Sequence, residues 1–333
     1  MSDTQTGILP IPPIAVRGGG APRRHVLSIL DLSADEVLYL CRRAVAIKRS
    51  DADPQTLRGR TVGVYFRKTS TRTRTGFLVG AGRLGATTVA FGSTELQTNT
   101  GESLGDTART LAGYLDVLVM RTNESVAEMQ AFAAHPSMSV INALSSDEHP
   151  TQALTDLSSM LEHFGRLEGL SVLYLGEGNR TAASLALAMS RIPGTRLVVA
   201  APEGYGLDPR VLAKALELAA ASGAVVQQTH DADGLEAGFD VVYTSRWQEM
   251  GVSKPDPEWK TRFAPFRVTR ALAERVSAPG AVFMHDLPAV RNEDVDDEVL
   301  DGERSLAWVQ AQYKMWSAMS VMEWCGAGVA DEG

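Results

Sequence analysis

Residues 61–76 read TVGVYFRKTSTRTRTG. Six residues of β-branched and aromatic character run straight into hydroxyls and arginines at the start of a helical pattern, which is the βα half of a parallel-sheet unit. The alternation continues outward. TTVAFG (87–92), DVLVMR (116–121), SVINAL (139–144), SVLYLG (171–176), RLVVAA (196–201), AVVQQ (224–228), DVVYTS (240–245) and AVFMHD (281–286) read as further short strands, most of them separated by helical patterns. Helices are expected over 71–83, 103–114 and 151–165. Ahead of them, residues 25–48 place Leu38, Leu40, Ala44 and Ile47 at helical spacing behind Ser33, an N-cap with Glu36 three residues on. Roughly ten strands are too many for one comfortable sheet. The expectation is an α/β fold of two doubly wound parallel-sheet domains joined by long helices.

The expected boundaries are a flexible arm over 1–24, a first domain over 25–155 and a second over 156–304. The last helix, 305–325, carries Leu306, Val309, Tyr313, Trp316 and Met319 or Ser320 on one side and folds back to complete the first domain. A length of 333 residues fits two domains, each with its own core, at about 150 residues apiece. With 32 Lys plus Arg against 40 Asp plus Glu, mixed in sign along the chain, no nucleic-acid surface is expected. The two cysteines, Cys41 and Cys325, lie too far apart for a CxxC motif, and no apolar run reaches the roughly 18 residues of a membrane span. A cytoplasmic protein without membrane partners is expected.

The first chemical site follows the opening strand. A helix N-terminus presents unpaired N–H groups and a positive dipole end, so Ser70, Thr71, Arg72 and Thr73 together suit a phosphate. The plainer alternative is a threonine-rich helix start that caps itself. It is not a Walker loop, because the glycines of that motif are absent. Two more strand ends carry polar groups: Arg121 closes DVLVMR, and HPTQ places His149 and Gln152 where the next helix starts. Open parallel sheets bind ligands at these ends.

STRTR (70–74), MRT (120–122), HPTQ (149–152) and HDLPAVR (285–291) together resemble the aspartate and ornithine carbamoyltransferase family, in its order and spacing from about residue 25 to 322. The resemblance implies transfer of a carbamoyl group from carbamoyl phosphate to an amine by a homotrimer, with no metal and no organic cofactor. It makes Arg72, Arg121, His149 and Gln152 catalytic, with Ser70, Thr71 and Thr73 on the phosphate. It also implies that Gln97, on the loop 92–105, enters the site of a neighbouring subunit, and that Lys314 stands where ornithine enzymes carry an arginine. The aspartate branch has a lysine in that loop and this chain has none.

The acceptor side is a mixture. YLGEGNRTAAS (174–184) has two glycines of a dinucleotide fingerprint, but Thr181 takes the third position, so a dehydrogenase is a minor alternative. Arg180 stands where the ornithine branch has an acceptor-binding Asn, and it resembles the carboxylate-gripping Arg of the aspartate branch. In DVVYTSRWQEMG (240–251), Ser245 and Glu249 replace the Asp and Ser of the ornithine branch, while Arg246 and Gln248 align with aspartate-branch carboxylate contacts. In HDLPAVR, Asp286 replaces the ornithine branch's Cys, with Leu287 beside it; Asp286 either anchors an amine or pairs with Arg291. Two arginines and a carboxylate in this pocket lead to the expectation of a carboxylate-bearing amine other than ornithine, from a specialised pathway. The alternatives are ornithine itself, giving citrulline, and a catalytically silent binding subunit.

Overall fold

The computed structural model describes residues 23–50, 52–122, 124–248 and 253–326. Most of the expected N-terminal arm and Glu249 lie outside the described residues. Packing divides the chain into two units, one running to Gly165 and resuming at Gln312, the other spanning Arg166–Ala311.

The first unit contains α1 (Ala34–Arg49), β1 (Thr61–Phe66), α2 (Arg72–Arg83), β2 (Thr87–Phe91), α3 (Leu104–Leu111), β3 (Val117–Arg121), α4 (Val126–Ala133), β4 (Ser139–Asn142) and α5 (Pro150–Phe164). Its strands are all parallel in the order β2-β1-β3-β4, so the winding reverses between β1 and β3. β1 and β3 are near-continuous apolar runs, and β4 (SVIN) is equally buried, as expected where helices cover both faces. β2 is the edge strand, and its residues are largely exposed. Ser33 caps α1 as expected: its hydroxyl accepts from the Glu36 N–H at 3.2 Å while the Glu36 carboxylate accepts from the Ser33 N–H at 2.8 Å. Val37, with Leu40, Ala44 and Ile47, forms the buried face; Leu38 does not join it.

The second unit contains β5 (Ser171–Leu175), α6 (Arg180–Met189), β6 (Arg196–Ala200), α7 (Pro209–Ser222), β7 (Val225–Thr229), β8 (Phe239–Thr244), α8 (Trp259–Phe263), α9 (Arg270–Val276), β9 (Ser277–His285) and α10 (Asp297–Leu300). All five strands are parallel, in the order β7-β6-β5-β8-β9, and reverse between β5 and β8. Leu173, Leu175, Val242 and Phe283 lie in its core. The fold is thus α/β with two doubly wound parallel sheets.

The last helix, α11 (Ala307–Gly326), departs from the expected one-sided pattern. From Ser317 to Gly326 every residue is buried. Three helices of the first unit take up its sides. Arg43 of α1 holds the Glu323 carboxylate with two bonds of 2.6 and 2.8 Å, the Thr155 and Ser317 hydroxyls of α5 and α11 meet at 2.7 Å, and α2 presents glycines. A helix enclosed in this way is buried on every side rather than along one stripe, and its polar side chains find partners on the helices around it.

Candidate active site

In the first unit the residues singled out from the sequence collect at the carboxyl ends of β1, β3 and β4. Thr71 occupies the N-cap of α2 yet makes no side-chain cap hydrogen bond, so self-capping does not describe this helix start. Thr73, two residues on, is buried, and Arg72 is half-buried. Ser70 Oγ accepts from the Arg121 guanidinium at 3.4 Å, joining the ends of β1 and β3. Arg67, in the same basic stretch, is turned to other work: it holds the Glu128 carboxylate at 2.7 Å and donates to the Tyr65 hydroxyl at 2.8 Å. Burial pushes the Glu128 carboxyl above its ordinary range, and Arg67 opposes that shift.

His149 is the N-cap residue of α5 and 4% exposed, with Nδ1 3.4 Å from the Thr151 hydroxyl. One turn on, buried Gln152 donates to Asp156 at 2.7 Å and accepts from the Lys314 ammonium. Lys314 reaches it because α2 lets α11 approach closely. A Cβ on Gly76 would lie 3.2 Å from the Lys314 carbonyl oxygen, and one on Gly80 would lie 2.9 Å from Met319. Gln97 sits exposed on the turn Gln97–Thr100, its side-chain oxygen accepting from Thr100 at 2.7 Å.

In the second unit the candidate acceptor residues stand at the carboxyl ends of β5, β8 and β9. Arg180 is the first residue of α6, whose N-cap is Asn179. Ser245, just past β8, is buried, and its oxygen accepts from both the Tyr174 hydroxyl and the Asn179 amide at 2.8 Å. With its lone pairs taken, what Ser245 offers is its own O–H. Arg246 and Gln248 follow, half-buried, on either side of buried Trp247. Asp286 accepts from the Thr181 hydroxyl at 2.9 Å. Arg291, foreseen as an alternative partner for Asp286, pairs with Asp297 and Asp301 at 2.7 and 2.6 Å.

Beside Asp286, the N–H of Leu287 donates to His285 Nδ1 at 2.8 Å, ahead of a cis Leu287–Pro288 bond. His285 is fully buried, and its Nε2 lies 3.7 Å from buried Asp294. Sequence reasoning passed over Tyr174, Asn179, Thr181, His285 and Asp294 as functional neighbours. The bonds of Tyr174 and Asn179 to Ser245 join the adjacent ends of β5 and β8, which spacing does not reveal.

The same geometry removes the dinucleotide reading. A Cβ on Gly178 would lie 2.3 Å from the backbone of Gly206 and Leu207, and the Gly178 N–H donates to the Tyr205 carbonyl at 2.8 Å. That glycine serves a backbone crossing rather than the approach of a pyrophosphate.

Residues 24–162 match the carbamoyl-P binding domain of the aspartate/ornithine carbamoyltransferases, and residues 168–325 match the Asp/Orn binding domain. The chain belongs to this family. It is therefore a carbamoyltransferase enzyme with one domain for carbamoyl phosphate and one for an amino-acid substrate. An ornithine carbamoyltransferase of Anoxybacillus flavithermus is 38% identical over 304 residues, covering 90% of this chain and 95% of that one. Another, from Thermococcus kodakarensis, is 36% identical over 309 residues, covering 92% and 97%. The solved ornithine carbamoyltransferase of Pyrococcus furiosus superposes with a TM-score of 0.87 at 34% identity, covering 93% of this chain and 99% of that one.

Proposed function

We propose that this enzyme transfers the carbamoyl group of carbamoyl phosphate to the side-chain amine of ornithine, forming citrulline. The observation that carries the reading is the likeness to proteins named ornithine carbamoyltransferase at 36–38% identity over both domains. This replaces the expectation of a non-ornithine acceptor as the first reading. In the proposed chemistry the neutral amine attacks the carbonyl carbon, charge grows on the carbonyl oxygen, and the C–O bond to phosphate breaks, its electron pair leaving with the phosphate, which takes up the proton that the nitrogen loses. Ser70, Thr71, Arg72 and Thr73 hold phosphate; Arg121 and His149 donate to the carbonyl oxygen; Gln152, held by Lys314 and Asp156, addresses the carbamoyl end. Ornithine carries one carboxylate and two amines. Arg180, Arg246, Gln248 and the Ser245 O–H suit the carboxylate, while Asp286, beside Leu287, suits an ammonium.

A second reading, a carboxylate-bearing amine of different chain length, is favoured by one observation. Ser245 and Asp286 replace the ornithine branch's Asp and Cys, which moves the negative charge of the pocket from the end of β8 to the end of β9. Incubation with carbamoyl phosphate and ornithine, aspartate, lysine, 2,3-diaminopropionate or N-acylated ornithines, with mass-spectrometric product detection, separates the two. Citrulline as the best product supports the first reading; ornithine turned over about a hundredfold less efficiently than another amine overturns it.

The proposal includes a cytoplasmic homotrimer in which Gln97 of one subunit serves its neighbour. Among the described residues no helix is long and apolar enough to cross a membrane. Reassembled mixtures of Arg72→Ala and Gln97→Ala subunits should regain part of the activity that each variant lacks, and mixtures with no recovery refute shared sites.

A further inference from the structure

The side chain of Lys254 is only 5% exposed, although it lies in a part of the chain rich in polar residues. Its ammonium stands 4.7 Å from the Tyr205 ring centre, 4.9 Å from Phe263 and 5.5 Å from Trp259, and bonds Glu177 at 2.5 Å. The rings pack on one another: Tyr205 and Trp259 meet Phe263 edge-on at 4.9 and 5.7 Å, and Trp247 lies 5.3 Å from Phe263. Trp247 also presses on Gly176, where a Cβ would come within 3.0 Å of its ring. Removing an ammonium from water is costly, and a leucine would fill an aromatic box with less penalty. What the buried cation supplies, and an apolar side chain does not, is a directional bond to one partner on a defined turn.

That turn matters because of what it carries. Glu177 lies between Gly176 and the Asn179–Arg180 start of α6, and Asn179 in turn holds Ser245. Lys254 and Trp247 thus fasten the chain beyond β8 to the turn beyond β5 at two points. The candidate carboxylate contacts Arg180, Ser245, Arg246 and Gln248 all sit on these two segments. We propose that Lys254, through Glu177 and the Tyr205–Trp259–Phe263 box, is a positioning residue that sets the spacing of the acceptor-carboxylate contacts and so governs acceptor binding. The inference rests on the reading of those residues as the acceptor site, and it does not depend on the acceptor being ornithine.

The test compares full-length wild type with Lys254→Met, Lys254→Arg and Glu177→Gln, using whichever acceptor wild type turns over best. Lys254→Met and Glu177→Gln should raise the acceptor KM about tenfold while the carbamoyl phosphate KM stays within about twofold, and Lys254→Arg should recover most of the loss. The double variant Glu177→Gln/Lys254→Met should be no worse than either single one. Hydrogen exchange needs no substrate: amides of residues 176–182 and 245–248 should exchange faster in Lys254→Met. An acceptor KM within about twofold of wild type, or unchanged exchange at those amides, overturns the proposal. So does a parallel rise of both KM values with a lowered melting temperature, since that is the signature of general destabilisation. If wild type forms no citrulline from ornithine, the functional reading fails separately, and the exchange result still decides the role of Lys254.

Discussion

The two ends of the proposed reaction are built in different ways. On the carbamoyl phosphate side, contacts come from three neighbouring strand ends and are locked by helix packing: Gln152 is gripped by Asp156 and Lys314, and Lys314 is placed by a glycine-lined approach of α2 to α11. On the acceptor side, the contacts sit on turns tied together by side chains, with Ser245 held by Tyr174 and Asn179, and Asp286 held by Thr181. A site set by helix packing tolerates little change, whereas a site set by exchangeable side-chain bonds can be retuned one residue at a time. Most departures from the ornithine pattern follow that division: Arg180, Ser245 and Asp286 lie in the second unit, while in the first the STRTR and HPTQ stretches match and Lys314, in place of an arginine, is the exception.

The comparison predicts where breakage is most severe. Arg121→Ala removes a donor proposed to face the growing negative charge, and it should lower kcat by about 10² to 10³, or roughly 3–4 kcal/mol of barrier, with little change in melting temperature. Steady-state phosphate release checks this, and a loss under about tenfold would show that Arg121 is not at the reacting centre. Next in size is Gly76→Val. A Cβ there would lie 3.2 Å from the Lys314 carbonyl oxygen, so the branched side chain presses on backbone and should cost about 2–3 kcal/mol of stability by chemical denaturation. Wild-type stability in that variant would mean that α11 shifts freely, and the contrast between rigid and tunable halves would fail.

Much of this was legible in the sequence, for identifiable reasons. β1 and β3 show themselves because strands buried on both faces are unbroken apolar runs, and the Ser33–Glu36 capping box shows itself because both partners lie within one turn. The all-round burial of α11 was not legible. Ser317, Ser320 and Glu323 look like a polar face until Thr155, the Leu40 carbonyl and Arg43 are seen to receive them. Likewise Glu177 and Lys254 are 77 residues apart, and nothing local in either stretch announces the other. Single residues at strand ends could be nominated as ligands; most of the pairs that orient them emerge only from sheet order and helix packing.

The acceptor half should respond in binding rather than in turnover. Asp286→Asn keeps the hydrogen bond geometry to Thr181 but removes the charge, and it should raise the acceptor KM about tenfold while the carbamoyl phosphate KM stays within about twofold. Thr181→Val, which leaves Asp286 charged but unheld, should give a smaller rise. If both substitutions leave the acceptor KM unchanged, Asp286 does not meet the amine, and the second unit's departures say nothing about acceptor choice.

The smallest expected effect lies far from the chemistry and tests how firmly the first unit is sewn together at its start. His25 Nδ1 accepts the Val140 N–H at 3.1 Å, next to a backbone bond in which the Val26 N–H donates to the Val140 carbonyl at 3.0 Å. Burial lowers the His25 pKa from its ordinary 6.5, so the neutral ring is the folded form. In the window between that lowered value and 6.5 the unfolded chain binds more protons than the folded one, so stability rises with pH. The contribution is complete above 6.5 and is lost as pH falls through the lowered value, where a second proton on the ring would cancel the acceptor that Val140 needs. Partial exposure keeps the effect under about 1 kcal/mol. Melting curves from about pH 7.5 down to pH 5 should therefore fall more steeply for wild type than for His25→Gln, which retains an acceptor without titrating. The two proteins differ at residue 25 alone, so the difference between the two curves isolates His25. Parallel curves would mean that this bond contributes nothing to holding the first unit's N-terminal segment on β4.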